Sequence, residues 1–162
     1  MAVDRLMAAI PITEVAAGQR VDAWPPHITL VPWFELPSEK WGDFDHEMHE
    51  REIVWDLDAR MQVGKRDMFG DSHDKPVARL FGIMAVLAHT RIKALAEEFG
   101  GRVDERFTGL EWHPHITDSP GFQANVGDII ETNHIAIFQK HAGVKIIKEV
   151  YERTLPGYEA TT

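Results

Sequence analysis

Two histidine–threonine pairs carry the strongest chemical suggestion in this chain. Residues 24–34 read WPPHITLVPWF, and 88 positions further on residues 112–122 read WHPHITDSPGF; seven of the eleven positions match. Each copy holds a His and a Thr two residues apart, His27 with Thr29 and His115 with Thr117. On a strand, side chains at i and i+2 point to one side. Each pair therefore shares a face, while Ile28 and Ile116 point the other way, into a core. Two such strands brought together would surround one cavity with two imidazoles and two hydroxyls, and that set suits a phosphodiester. A neutral imidazole takes a proton from water or a ribose hydroxyl, and an imidazolium gives one to the leaving oxygen. A reference pKa of about 6.5 suits histidine to either role. The hydroxyls donate to the non-bridging oxygens, whose charge must be held in the transition state. This set requires neither metal nor cofactor.

Strands must position these pairs. Pro26 and Pro114 precede the two histidines and suit a strand start, where a missing N–H costs little. Residues 3–12 read as a short apolar strand ending at Pro11, and Pro26 to Phe34 is β-leaning. Ser38 is the expected N-cap of a helix with Trp41, Phe44 and Met48 on one face. Ile53 to Val63 alternates apolar and polar residues, the mark of a half-buried strand. Residues 64–76, GKRDMFGDSHDKP, read as a loop, and VARLF as a strand. Ile83 to Phe99 reads as a helix with a stripe of Met84, Leu87, Ala88, Ile92, Leu95 and Phe99, stopped by Gly100-Gly101. Strands are expected again at His134–Phe138 and Val144–Tyr151, with a loose polar tail from Pro156. Strands and helices intermix, so the fold class is α+β, one domain of two lobes, about 1–80 and 81–162.

Other side chains are candidates of a second rank. Arg79 alternates with Ala78 and Leu80, so its guanidinium could reach inward to a phosphate, and Lys75 and Lys140 are further cations. Trp24, Trp112 and Tyr151 are aromatic candidates for a base, with Tyr158 behind them, although core packing is the commoner role for such tryptophans. His113 shares the face of His115. Its spacing admits a metal pair completed by His46 or His49, but nothing fixes those elements together, and no metal site is expected. Lys65-Arg66 reads as a solvated loop pair.

The 162 residues carry a formal charge of -9, contain no cysteine and are 44% hydrophobic. The size fits one domain with a real core. Such acidity disfavours long nucleic acid, which needs a basic surface, but leaves room for one small anion held by a few local cations. No apolar run is long enough to cross a bilayer. With no secretion signal, the expected compartment is the cytoplasm, a host's cytoplasm if the gene belongs to a phage. A monomer is expected.

The paired motifs His27-Ile28-Thr29 and His115-Ile116-Thr117, their separation and the flanking PHIT resemble the two-histidine (2H) phosphoesterases, which include LigT-like RNA ligases and cyclic phosphodiesterases. The resemblance covers most of the chain in architecture but only the two motifs in identity. It implies a bilobal fold, two antiparallel sheets with pseudo-twofold symmetry around a central cleft, and helices outside. It also implies metal-independent cleavage of a cyclic, 2′–5′ or 3′–5′ phosphodiester in a small nucleotide or short oligonucleotide. Some members destroy cyclic oligonucleotide defence signals. The second motif departs from the pattern: it continues DSPGF where a hydrophobic run is usual, and a regular strand would turn Asp118 away from the cleft. A different reading of the same residues is a module that binds or sequesters a nucleotide without cutting it.

Overall fold

The computed structural model describes residues 2–51, 53, 60–69, 72–104 and 112–152. Among them, β1 (Val3–Pro11) and β2 (His27–Pro37) come first, then α1 (Trp41–Glu50), the hairpin of β3 (Arg60–Phe69) and β4 (Lys75–Phe81), and α2 (Ile83–Glu98). β5 (His115–Thr117), β6 (Ile129–Glu131), β7 (His134–His141) and β8 (Val144–Glu152) follow. The architecture is α+β. All eight strands pair antiparallel in one sheet, in the order β6-β3-β4-β5-β2-β1-β7-β8. The two sheets expected from the resemblance are thus joined. The halves β6-β3-β4-β5 and β2-β1-β7-β8 meet at one residue pair, Ile28 opposite Ile116. Each half interleaves segments from before and after residue 80.

Both helices cover the same face of the sheet. Phe44 and Met48 of α1 and Ala88, Ile92 and Leu95 of α2 share one buried cluster with Leu6, Ile10, Ile28, Leu80 and Ile116. A smaller cluster of Met7, Ala9, Ala136, Phe138 and Ile147 lies on the opposite face, under Val15, Val21 and Trp33. β1 is therefore buried on both sides, which is why it reads as a continuous apolar run and not an alternation. Among the described residues no helix is long and apolar enough to cross a membrane.

Several local expectations are revised. Ser38 does not cap α1. It opens a short 3-10 turn, and its hydroxyl donates to Asp4 Oδ1 at 2.8 Å, fastening the turn to β1. The buried stripe of α2 runs through Ala85, Ala88, Ile92, Leu95 and Ala96, while Leu87 faces solvent at 40% exposure. The glycine stop of α2 is as expected: Gly100 adopts φ +81°, its N–H donates to the Glu97 carbonyl, and the Gly101 N–H donates to Ala96. These are the two hydrogen bonds of a Schellman cap. The expected strand 53–63 is described only at Ile53, which lies outside any strand, and from Arg60 onward; residues 54–59, like the tail from Pro156, lie outside the described residues. The stretch 64–69, expected as loop, is strand. Its charged residues pair across the β3–β4 hairpin, from Gln62 opposite Phe81 to Phe69 opposite Lys75, with an irregularity at Gly64.

Candidate active site

The junction of the two half-sheets is where the repeated motifs meet. Ile28 and Ile116 stand side by side, 0% and 1% exposed, and are buried beneath the helices. In an antiparallel pair the neighbours follow from that register: His27 lies across from Thr117, and Thr29 across from His115. All four project from the face opposite the isoleucines. Directly opposed residues have Cβ atoms about 4.5–5.5 Å apart, and the His27–His115 diagonal spans roughly 7–8 Å. An antiparallel pair has a local twofold axis, so the duplicated motif becomes a near-symmetric quartet around one point. The adjoining strands hold it rigidly, with Pro11 opposite His27, Ala9 opposite Thr29, Val77 opposite Thr117 and Arg79 opposite His115.

The two imidazoles are fixed in the same way. His27 Nδ1 lies 2.7 Å from the Pro25 carbonyl, and His115 Nδ1 lies 2.8 Å from the His113 carbonyl. A carbonyl oxygen only accepts, so each Nδ1 carries the hydrogen and each Nε2 keeps its lone pair. Both rings are held below the usual histidine range. For His27 the main cause is burial, opposed by the Pro25 carbonyl. For His115 burial again leads, opposed by the His113 carbonyl and reinforced by the charges of His27, Arg79 and His113. The free protein at neutral pH therefore presents two neutral imidazoles with basic nitrogens. The Thr29 and Thr117 hydroxyls bond no other described side chain, which leaves them open to a ligand.

The two sides of the quartet differ in their surroundings. Beside His115, the Phe69 ring meets the imidazole edge-on at 4.7 Å, and the Arg79 guanidinium lies 5.8 Å from that ring's centre. Arg79 is anchored by Asp67 at 3.2 Å, which also faces Lys65 at 3.5 Å. A groove of about 360 Å³ opens next to this corner, lined by Gly64, Lys65, Arg79, Phe81 and His113 among others. Beside His27 stands Trp24, 5.3 Å away between ring centres, with Phe138 and Trp33 behind it at 5.2 and 6.1 Å. Lys145 lies over Trp24 at 5.4 Å, and Lys140 over Trp33 at 6.0 Å. Cations thus concentrate on this face although the chain as a whole is acidic.

The structure sorts the secondary candidates. Arg79, His113 and Trp24 stand on the motif face, and Lys75 lies exposed at the far end of β4 on that same face. Trp112 does not reach the cleft. It is 9% exposed and stacks on His89 of α2 at 4.3 Å, with the rings nearly parallel. Tyr151 is also a core residue. It is 2% exposed and opposes Ile135, and its hydroxyl donates to Asp45 Oδ1 on α1 at 2.7 Å. Burial and then Asp45 raise its pKa, which keeps the hydroxyl protonated. Tyr158 lies outside the described residues. Arg66, read as a solvated loop cation, sits on β3 and grips both carboxylate oxygens of Asp118. Asp118 does turn away from the cleft, and the DSPGF continuation of the second motif finds its partner there.

Sequence reasoning missed Lys65, Phe69, Phe81, Phe138 and Lys145, the first two because residues 64–69 of β3 were read as loop. It also missed His89, whose Nδ1 lies 2.6 Å from the Leu30 carbonyl. His89 ties α2 to β2 while its ring backs Trp112, so one core histidine braces both motif strands.

His46 and His49 belong to α1, across the sheet from His113 and His115, and complete no metal pair with them. Asp45, His49 and Glu149 bring their ligand atoms within 4.8 Å of one another on the helix-covered side, remote from the quartet.

No protein-family model matches the chain, and no curated protein does. Solved structures do resemble it. E. coli LigT in complex with 3′-AMP is 14% identical, with a TM-score of 0.58 over 95% of this chain and all of that one. E. coli LigT in apo form and in complex with NADP+ match at TM-scores of 0.57 and 0.56, each at 14% identity over 96% of this chain and all of that one. The chain therefore shares the fold of LigT.

Proposed function

We propose that the chain is a metal-independent phosphodiesterase of the 2H type, acting on a small nucleotide or short oligonucleotide. One observation carries the reading. The antiparallel register sets the two H-x-T motifs face to face, and each imidazole has its Nδ1 hydrogen tied to backbone and its Nε2 free.

Two free Nε2 atoms on one face can serve opposite ends of an in-line displacement. The phosphodiester sits between them, its non-bridging oxygens toward Thr29 and Thr117 with Arg79 nearby. The substrate's negative charge favours protonation of one imidazole, which offsets the burial that holds both rings neutral. The neutral ring removes a proton from the nucleophile, a water or the neighbouring ribose hydroxyl, as its oxygen bonds to phosphorus. The imidazolium delivers its proton to the leaving oxygen as the other P–O bond breaks. One proton is taken up and one is given, so the pair ends with the same total charge and exchanged roles. The hydroxyls and Arg79 hold the charge that builds on the non-bridging oxygens.

LigT's complexes with 3′-AMP and NADP+ support a nucleotide ligand for a cleft of this fold. The substrates to test are 2′,3′-cyclic mononucleotides, cyclic di- and trinucleotides, and 2′–5′ and 3′–5′ oligoadenylates. Each is incubated with wild type and with the His27→Ala, His115→Ala double variant in EDTA and read by mass spectrometry. Cleavage by wild type alone is the expected result. Recovery of an intact, tightly bound nucleotide would show a sequestering module instead.

A further inference from the structure

The geometry points to a substrate with a nucleoside on each side of the scissile phosphate, one base resting on Trp24 and the other against Phe81 in the groove beside it. This deepens the phosphodiesterase reading and rests on it. Two large aromatic side chains among the described residues are exposed, Trp24 at 38% and Phe81 at 73%. Both stand on the motif face, on opposite sides of the quartet. Trp24 adjoins His27 and packs over Trp33 and Phe138, on the β1–β7 side. Phe81 follows Arg79 by two positions on β4, on the other side, where Arg79 opposes His115. Strand geometry puts the Phe81 Cα about 8 Å from that of His115, one strand over and two residues along. That is within reach of a nucleoside whose phosphate lies between the histidines.

Each corner has what a nucleotide needs. Bases stack on aromatic faces with little regard to sequence, and cations follow the backbone. Trp24 has Lys145 over its ring. The Phe81 groove has Lys65, Arg79 and His113 in its walls. Arg79 belongs both to the groove and to the quartet, so the phosphate position runs into the groove without a gap. Gly64 shapes the floor: a Cβ there would come within 2.6 Å of the Phe81 ring, so the absent side chain lets that ring lie down over β3. A 2′,3′-cyclic mononucleotide would fill the Trp24 side and leave the groove empty.

The test compares ApA, in 3′–5′ and 2′–5′ linkage, with 2′,3′-cyclic AMP. The first readout is the ratio of kcat/KM for ApA to that for the cyclic mononucleotide, in wild type and Phe81→Ala. The second is calorimetric binding of intact ApA to His27→Ala with and without Phe81→Ala. Phe81 is so exposed that its truncation spares the fold. Phe81→Ala should lower the ratio, and weaken ApA binding, by roughly five- to a hundredfold, the worth of one base stack. An unchanged ratio and unchanged binding would overturn the subsite while leaving the phosphodiesterase reading in place. A wild type that turns over no member of the whole nucleotide panel would sink that reading instead, and the binding arm would then decide the subsite alone.

Discussion

Removing the histidines singly and together tests whether they act as one device. In His27→Ala or His115→Ala one proton transfer loses its agent, which costs about 10²–10⁴ in kcat, or roughly 3–5 kcal/mol of barrier. Independent contributions would multiply to about 10⁴–10⁸ in the double variant. On the proposed mechanism both transfers belong to one displacement at one phosphorus, as the register places the rings on one face of adjacent strands. The double variant should therefore fall little below the worse single one. The pH dependence adds a second constraint. The base must be neutral, so kcat/KM falls toward acid; the acid must be protonated, so it falls toward alkali. Burial holds both rings below the usual value in the free protein, and His115 is lowered further by neighbouring charge. The bell, which reports the pair and not either ring, should thus peak below about pH 6.5. In His27→Ala the charge opposing protonation of His115 is gone, and the surviving limb should move to higher pH. The assay is steady-state kcat/KM from pH 4.5 to 9 on the best substrate of the panel. Full activity in both single variants, or an alkaline optimum, would refute the paired-imidazole argument.

Three further outcomes test the structure around the site. Tyr151→Phe removes the hydrogen bond to Asp45 on the helix side, so urea unfolding should show a loss of about 1.5 kcal/mol with kcat/KM unaltered; a kinetic defect would return Tyr151 to the cleft. Gly101→Ala brings a Cβ to 2.6 Å from the Ala96 carbonyl oxygen and should destabilise by about 1 kcal/mol or more. Gly42→Ala, an α1 position with nothing within 4 Å of the added methyl, should stabilise by about 0.5–1 kcal/mol, and melting curves of the two variants should shift in opposite directions. His27, His89 and His115 all have folded-state pKa values below the ordinary one, so the unfolded chain binds more protons as pH falls through that window. Stability should be flat above about pH 6.5 and decline below it, and a protein equally stable at pH 5 and pH 7.5 would contradict the burial of these rings.

The quartet was legible in the sequence because packing alone gives no reason to repeat His and Thr at the same offsets. The isoleucine between them announced which face was which. The neighbours were harder to read, for reasons that differ from residue to residue. Trp24 and Trp112 hold the same place in the repeat, yet α2 offers His89 to one, while the other lies over Phe138 on the uncovered face. Only the tertiary surroundings distinguish them. On β8, Ile147 and Tyr151 have the same parity, so a regular strand would put them on one side. A register shift intervenes, with Ile137 opposite Glu149 but Phe138 opposite Ile147, and Tyr151 passes to the helix side. The second part of β3, residues 64–69, was mistaken for loop because lysine, arginine and aspartate crowd it after a glycine. Asp67 pairs with Lys65 along its own strand and with Arg79 across the hairpin, and Arg66 binds Asp118, so the strand needs no apolar alternation there.

One of these reasons, irregular pairing, bears on the chemistry. Period-two reasoning holds where pairing is regular, and the short β5–β2 contact stays regular because isoleucine buttresses it on the core side while carbonyls pin both rings on the other. Register shifts surround it, between β1 and β2 beside Thr29, at Gly64 and within β7–β8, and there the two sides of the cleft diverge. If the chain is the phosphodiesterase proposed, a symmetric centre with unlike flanks exchanges protons from either side but receives a substrate in one orientation. On the proposed reading the duplicated motif supplies reactivity, and the unduplicated flanks, Trp24 with Lys145 on one side and Phe81 with Arg79 on the other, supply direction.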